Sequence, residues 1–219
     1  MATLNQPHWD KIPSLLREIL LEIGRHPFVN RFYLSGGTAL ALQLGHRVSV
    51  DLDFFSTTDE LEQESRQEII AALQQRFSLE VDEGGLSSLL INIQNSYVGF
   101  FGYSYPLLAP TVMLEGIKLA GFLDIGLMKM DAVAGRGSRK DFYDLYFIGQ
   151  QIPLEEMLDR GKDKYPYVKD FGMMVLAALT DFSIAERQVD IVTTPEIGWD
   201  VVKQYFVQES RRIGRNWFQ

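Results

Sequence analysis

A glycine pair set between two apolar runs is the strongest constraint on how this chain folds. Arg31 to Leu34 reads as a short strand, Gly36-Gly37 breaks it, and Thr38 to Leu44 reads as a short apolar helix closed by Gly45. Val48 to Phe55 then alternates at period two, with Val48, Val50, Leu52 and Phe54 on one face and Ser49, Asp51, Asp53 and Phe55 on the other. Strand, glycine turn, helix and acidic strand in that order call for a fold that mixes both element types.

The same mixture holds as far as about Tyr105. Leu15, Leu16, Ile19, Leu20 and Ile23 recur at helical spacing, and Asp59 to Phe77 predicts a long acidic amphipathic helix. Leu79 to Val81, Leu89 to Ile93 and Tyr97 to Tyr103 read as strands, the first two joined through Glu83-Gly84-Gly85. After Pro106 and Pro110 the pattern becomes mostly helical. Asp124 is placed to cap a helix from Ile125 to Ala134, Ser138 starts another running to about Gly149, and further helices fit Leu154 to Leu158, Tyr167 to Thr180 and Glu196 to Arg212. The expectation is an α+β class, with a mixed-sheet α+β domain over 1–108 and a mainly helical domain over 109–219 that completes an active-site cleft.

Composition removes several functional classes. Among 219 residues there is no cysteine, which excludes disulfide frameworks, zinc-thiolate and iron–sulfur sites and a cysteine nucleophile. Three histidines leave little for a multi-histidine metal centre. No apolar run approaches the roughly 20 residues of a membrane helix, so a cytoplasmic location without membrane contact is expected. A net charge of −8 argues against broad electrostatic coating of nucleic acid, yet permits a local site.

Glycines between a strand and a helix let the backbone approach a ligand closely and expose amide N–H groups where phosphate is favoured. Asp51 and Asp53, two apart on a strand, leave the same face about 6 to 7 Å apart at the backbone. That spacing suits Mg²⁺ or Mn²⁺, which in turn hold triphosphate oxygens. Further on, Lys129 sits in apolar company, the turn Arg136-Gly137-Ser138-Arg139-Lys140 is densely basic, and Asp141 and Asp144 share a face of the next helix. From the residues alone, Asp141 either caps that helix with Ser138 or takes part in chemistry, and Asp144 either pairs with Lys129 or Arg136 or does the same. Arg211, Arg212 and Arg215 beside Trp217 and Phe218 read as a solvated helix end, with nucleic-acid contact the rival reading.

Gly36-Gly37-Thr38-Ala39-Leu40, then His46-Arg47-x-Ser49-x-Asp51-Leu52-Asp53-Phe54-Phe55, then Lys129-Met130 through Arg136-Gly137, Lys140-Asp141 and Asp144-Leu145-Tyr146 together resemble the AbiEii type of nucleotidyltransferase toxin, in the DNA polymerase β-like superfamily. The resemblance implies transfer of a nucleoside monophosphate from an NTP to an acceptor hydroxyl, with RNA or tRNA as acceptor and a cognate antitoxin as partner. It implies catalytic roles for Asp51, Asp53, Lys129, Asp141 and Asp144, metal binding by Asp51 and Asp53, and nucleotide contacts from Gly36, Gly37, Thr38, Arg47, Lys129 and Arg136. One departure stands out. Superfamily catalysts carry a third carboxylate on a neighbouring strand, and no acid lies between Glu83 and Glu115. Either the site works with the two strand carboxylates plus Asp141 or Asp144, or the chain is a catalytically weak nucleotide-binding regulatory protein of the same fold; a separate alternative is an enzyme that modifies protein hydroxyls.

Overall fold

A computed structural model describes residues 2–82 and 85–217. The chain divides into two compact units, one of residues 1–106 and 110–121, the other of 107–109 and 122–219.

The first unit is built on one eight-stranded mixed sheet. Its strands are β1 (Ala2–Thr3), β2 (Tyr33–Ser35), β3 (Asp51–Ser56), β4 (Glu80–Asp82), β5 (Ser88–Ile93), β6 (Ser96–Gly102), β7 (Val112–Leu114) and β8 (Ile117–Leu119), in spatial order β1-β7-β8-β2-β3-β6-β5-β4. β3 runs antiparallel to β2 and parallel to β6. Its inward residues Leu52 and Phe54 continue across the sheet into Val98 and Phe100 and then Ile91 and Leu89, and all six are buried. Helix α1 (Ser14–Ile23) adds Leu16, Ile19, Leu20 and Ile23 to the core, at the spacing that puts them on one stripe. Helix α2 (Gly36–Leu44) follows β2 with no intervening loop, and α3 (Gln63–Gln74) contributes Ile69 and Leu73.

Several expectations need correcting. The acidic strand starts at Asp51, three residues later than its alternation suggests, and Val48 and Val50 are each 55% exposed. β2 turns into α2 after Ser35, and β6 begins its pairing with β3 at Tyr97 opposite Asp51, so residues 48–50 have no neighbouring strand. The acidic helix is shorter than Asp59 to Phe77, because Leu61 adopts φ 57° and donates its N–H to the Asp59 side chain, a local turn that competes with the first helical turn. The mainly helical pattern after Pro110 hides the β7–β8 hairpin, which closes through Glu115 and Gly116, both at positive φ. The predicted Glu83-Gly84-Gly85 connection falls partly outside the described residues, as does Phe218.

The second unit is helical among its described residues: α4 (Phe122–Arg136), α5 (Arg139–Gly149), α6 (Leu154–Lys164), α7 (Phe171–Ala178) and α8 (Trp199–Trp217). Phe142 of α5 packs edge-on against Phe206 and Trp199 of α8, giving the unit its own aromatic core. Asp124 does not cap α4. The helix already includes Phe122 and Leu123, and the buried Asp124 carboxylate accepts the backbone N–H groups of Leu108 and Ala109 and the Lys164 ammonium.

Candidate functional site

In the first unit the glycine turn and the two carboxylates lie next to each other. Ser35, the last residue of β2, pairs with Asp53, so the chain enters α2 directly beside that carboxylate. Gly36 has φ +69°, and a Cβ there would stand 3.0 Å from Asp53 Oδ2. Gly37 faces the Arg47 guanidinium so closely that a Cβ would collide with Arg47 Nη2 and sit 3.0 Å from Ser49 Oγ. The positive φ of Gly36 favours glycine there, and at Gly37 a side chain would have to displace the Arg47 guanidinium. Thr38 donates its hydroxyl to the Asp51 carbonyl and accepts from the Ser49 hydroxyl (Oγ to Oγ1 2.9 Å), which ties the first turn of α2 to the start of β3. Arg47 is buried and donates to the Val48 carbonyl at 2.9 Å.

Asp51 and Asp53 share the outward face of β3 and are half-buried. Among the described residues no side chain holds the Asp51 carboxylate, and no group of three or more acid or imidazole ligands gathers anywhere. Two carboxylates with substrate phosphates and water match the way Mg²⁺ is usually held. On β6 the residues opposite are Tyr97 for Asp51 and Gly99 for Asp53, so the slot of a third strand carboxylate holds no acid.

The second unit carries a dense ionic cluster. Lys129 Nζ lies 2.8 Å from Asp141 Oδ1 and 2.6 Å from Asp144 Oδ2. Arg136 forks onto the same Asp141, Nε to Oδ2 at 2.7 Å and Nη2 to Oδ1 at 2.9 Å, and Ser138 Oγ donates to Oδ2 at 2.6 Å. Asp141 and Asp144 are fully buried, whereas the Arg136 side chain is 59% exposed. Burial alone would raise the Asp141 pKa, but bonds from Arg136, the Lys129 charge and Ser138 outweigh it and hold the carboxyl at about 2. With both oxygens already accepting two bonds, Asp141 is arranged as an anchor for two cations. Arg139, counted in the basic turn, points elsewhere: it is buried, bonds Asp190 and the Ala185 carbonyl, and lies over the Trp199 ring.

The structure thus brings Gly36, Gly37, Thr38, Arg47, Asp51 and Asp53 together in one unit, and Lys129, Arg136, Asp141 and Asp144 in the other. Two contributors escaped the sequence reading. The Thr38–Ser49 bond joins residues eleven apart, and the Asp124–Lys164 pair joins residues forty apart. The one available signal was an acid within the apolar run Phe122 to Leu127.

Known proteins resemble this chain in sequence and in fold. A family model described as the nucleotidyl transferase AbiEii toxin of a type IV toxin–antitoxin system matches residues 18–115, which contain the glycine turn and both strand aspartates. Lys129 to Asp144 lie beyond the matched span. A protein of Aquifex aeolicus (strain VF5) is 35% identical over 211 residues, covering 94% of this chain and 99% of the relative. A structure described as a nucleotidyltransferase from H. pylori superposes with a TM-score of 0.53 at 17% identity, over 93% of each chain. MenT4, a nucleotidyltransferase toxin of Mycobacterium tuberculosis H37Rv, gives a TM-score of 0.53 at 16% identity, over 87% of this chain and 82% of that one. The last two speak to the fold, and the sequence matches to descent: the chain belongs to the AbiEii nucleotidyl transferase toxin family.

Proposed function

We propose that this chain transfers a nucleoside monophosphate from an NTP to an acceptor hydroxyl of RNA, tRNA included, as the toxin of a toxin–antitoxin or phage-defence pair. The observation that carries the reading is the glycine turn set beside two strand carboxylates, with Asp51 left without a side-chain partner among the described residues. In this reading the Gly36-Gly37 amides and Arg47 hold the triphosphate, and Thr38 keeps the turn in register with β3. Asp51 and Asp53 hold Mg²⁺ or Mn²⁺, which when bound supplies charge neutralisation at the phosphates. Lys129 and Arg136 are the cations assigned to developing phosphate charge, Asp141 positions them, and Asp144 is assigned to the acceptor hydroxyl.

Labelled NTPs incubated with Mg²⁺ and either total RNA or lysate protein test this reading. Label on RNA that disappears in Asp51→Ala supports it, and label on protein would favour modification of protein hydroxyls. The missing acid on β6 favours one rival, a nucleotide-binding regulator, whose signature is NTP binding with no label on either acceptor.

A further inference from the structure

The strand that lacks the third acid offers rings instead. Reading across the outward sheet face, the Asp51 row continues into Tyr97 on β6, Asn92 on β5 and Glu80 on β4. The Asp53 row runs through Gly99 and Leu90 to Asp82. Along β6 this face reads Tyr97, Gly99, Phe101. The Phe101 ring lies over Gly99, where a Cβ would meet its edge at 2.5 Å, so the gap between the two aromatic residues is filled by ring. Phe101 also stacks on Phe55, 5.2 Å between centroids, and Phe55 in turn meets Tyr33 and Tyr103. Tyr97 is different. It is 50% exposed and packs against no other ring among the described residues, although it stands one strand away from Asp51.

We propose that the β6 face formed by Tyr97 and Phe101 is a stacking surface for one unpaired nucleobase of the acceptor strand. The proposal rests on the nucleotidyl-transfer reading above and names where that reaction's acceptor sits. The glycine turn lies on the β2 side of Asp53, and β6 lies on the opposite side of β3. Phosphoryl-group transfer sets the entering and leaving oxygens roughly in line, on opposite sides of the phosphorus. With the triphosphate on the glycine side, the acceptor comes from the β6 side. Aromatic rings hold bases of any identity by their π-faces, so this surface positions a strand end without reading sequence. Glu80 and Asp82, farther along the same rows and exposed, repel phosphates and limit the occupant to the terminal nucleotide or two.

The test uses the full-length protein and a short single-stranded RNA labelled at its 5′ end, read by fluorescence anisotropy, beside the same sequence in a blunt duplex. Wild type should bind the single strand more tightly than the duplex, Tyr97→Ala should weaken single-strand binding about 5- to 100-fold, and Tyr97→Phe should retain it. Binding of a labelled NTP should be unchanged in Tyr97→Ala, and under turnover the RNA KM should rise with kcat little changed. Equal RNA affinity in Tyr97→Ala, no single-strand binding by wild type, or loss of NTP binding in place of RNA binding each overturns the proposal. If Tyr97 governs RNA binding while no label ever reaches RNA, the stacking site stands and the transfer reading falls.

Discussion

The ammonium of Lys129 lies 2.6 Å from Asp144 Oδ2, with both side chains buried, and Asp141 accepts from the same nitrogen at 2.8 Å. Removing that nitrogen leaves two carboxylates close together out of water without the ammonium they share. Lys129→Met is therefore expected to cost about 3–5 kcal/mol of stability, measured from the urea midpoint at unchanged slope. A cost below about 1 kcal/mol would mean that the cluster is solvated.

The Asp141 anchor has a definite pH signature. Its carboxyl titrates at about 2 in the folded chain against an ordinary 3.8, so the unfolded chain binds this proton more tightly. The contribution, on the order of 2 kcal/mol, is complete above pH 4 and is lost as pH falls through about 2. Thermal melts of wild type and Asp141→Asn should differ most above pH 4 and converge toward pH 2. A constant gap over that range would contradict this origin.

Gly37→Ala drives a methyl group into the Arg47 guanidinium and against Ser49 Oγ. The expected result is a loss of about 1–3 kcal/mol as the buried arginine is displaced, together with weaker binding of a labelled NTP. Normal NTP affinity in a folded Gly37→Ala protein would detach Arg47 from the phosphates.

Asp51 should behave in the opposite way to Asp141. Half-buried and without a side-chain partner among the described residues, it contributes little to folding, so Asp51→Ala should change stability by no more than about 0.5 kcal/mol. Calorimetry with Mn²⁺ and a non-hydrolysable NTP should nevertheless show metal binding lost in that variant. Retained binding would move the metal site elsewhere.

Local period and spacing made much of this legible. The shared face of Asp51 and Asp53 follows from period two, α1 from its apolar spacing, and the turn from strand into helix from Gly36-Gly37. What the sequence hid depends on partners distant along the chain. Val48 and Val50 continue the alternation, yet no strand reaches them, so an apolar pattern ends up in water. β7 and β8 are three residues each, too short to show a period, and exist because they pair with each other and with β1 and β2. Lys129, Arg136, Asp141 and Asp144 were legible as charges in the right order. That Asp141 holds both cations, while Arg139 turns to Asp190, depends on contacts the order does not specify.

The division of the chain at 106/107, 109/110 and 121/122 bears on how such a protein can be cut. The β7–β8 hairpin sits inside the sheet between β1 and β2, but is encoded after the excursion of residues 107–109 into the helical unit. A stop codon at residue 109 would delete two interior strands and leave β1 with no neighbour. A cut that spares the sheet must therefore fall after Gly121, past the second sheet segment, and it leaves residues 107–109 of the helical unit attached to the first.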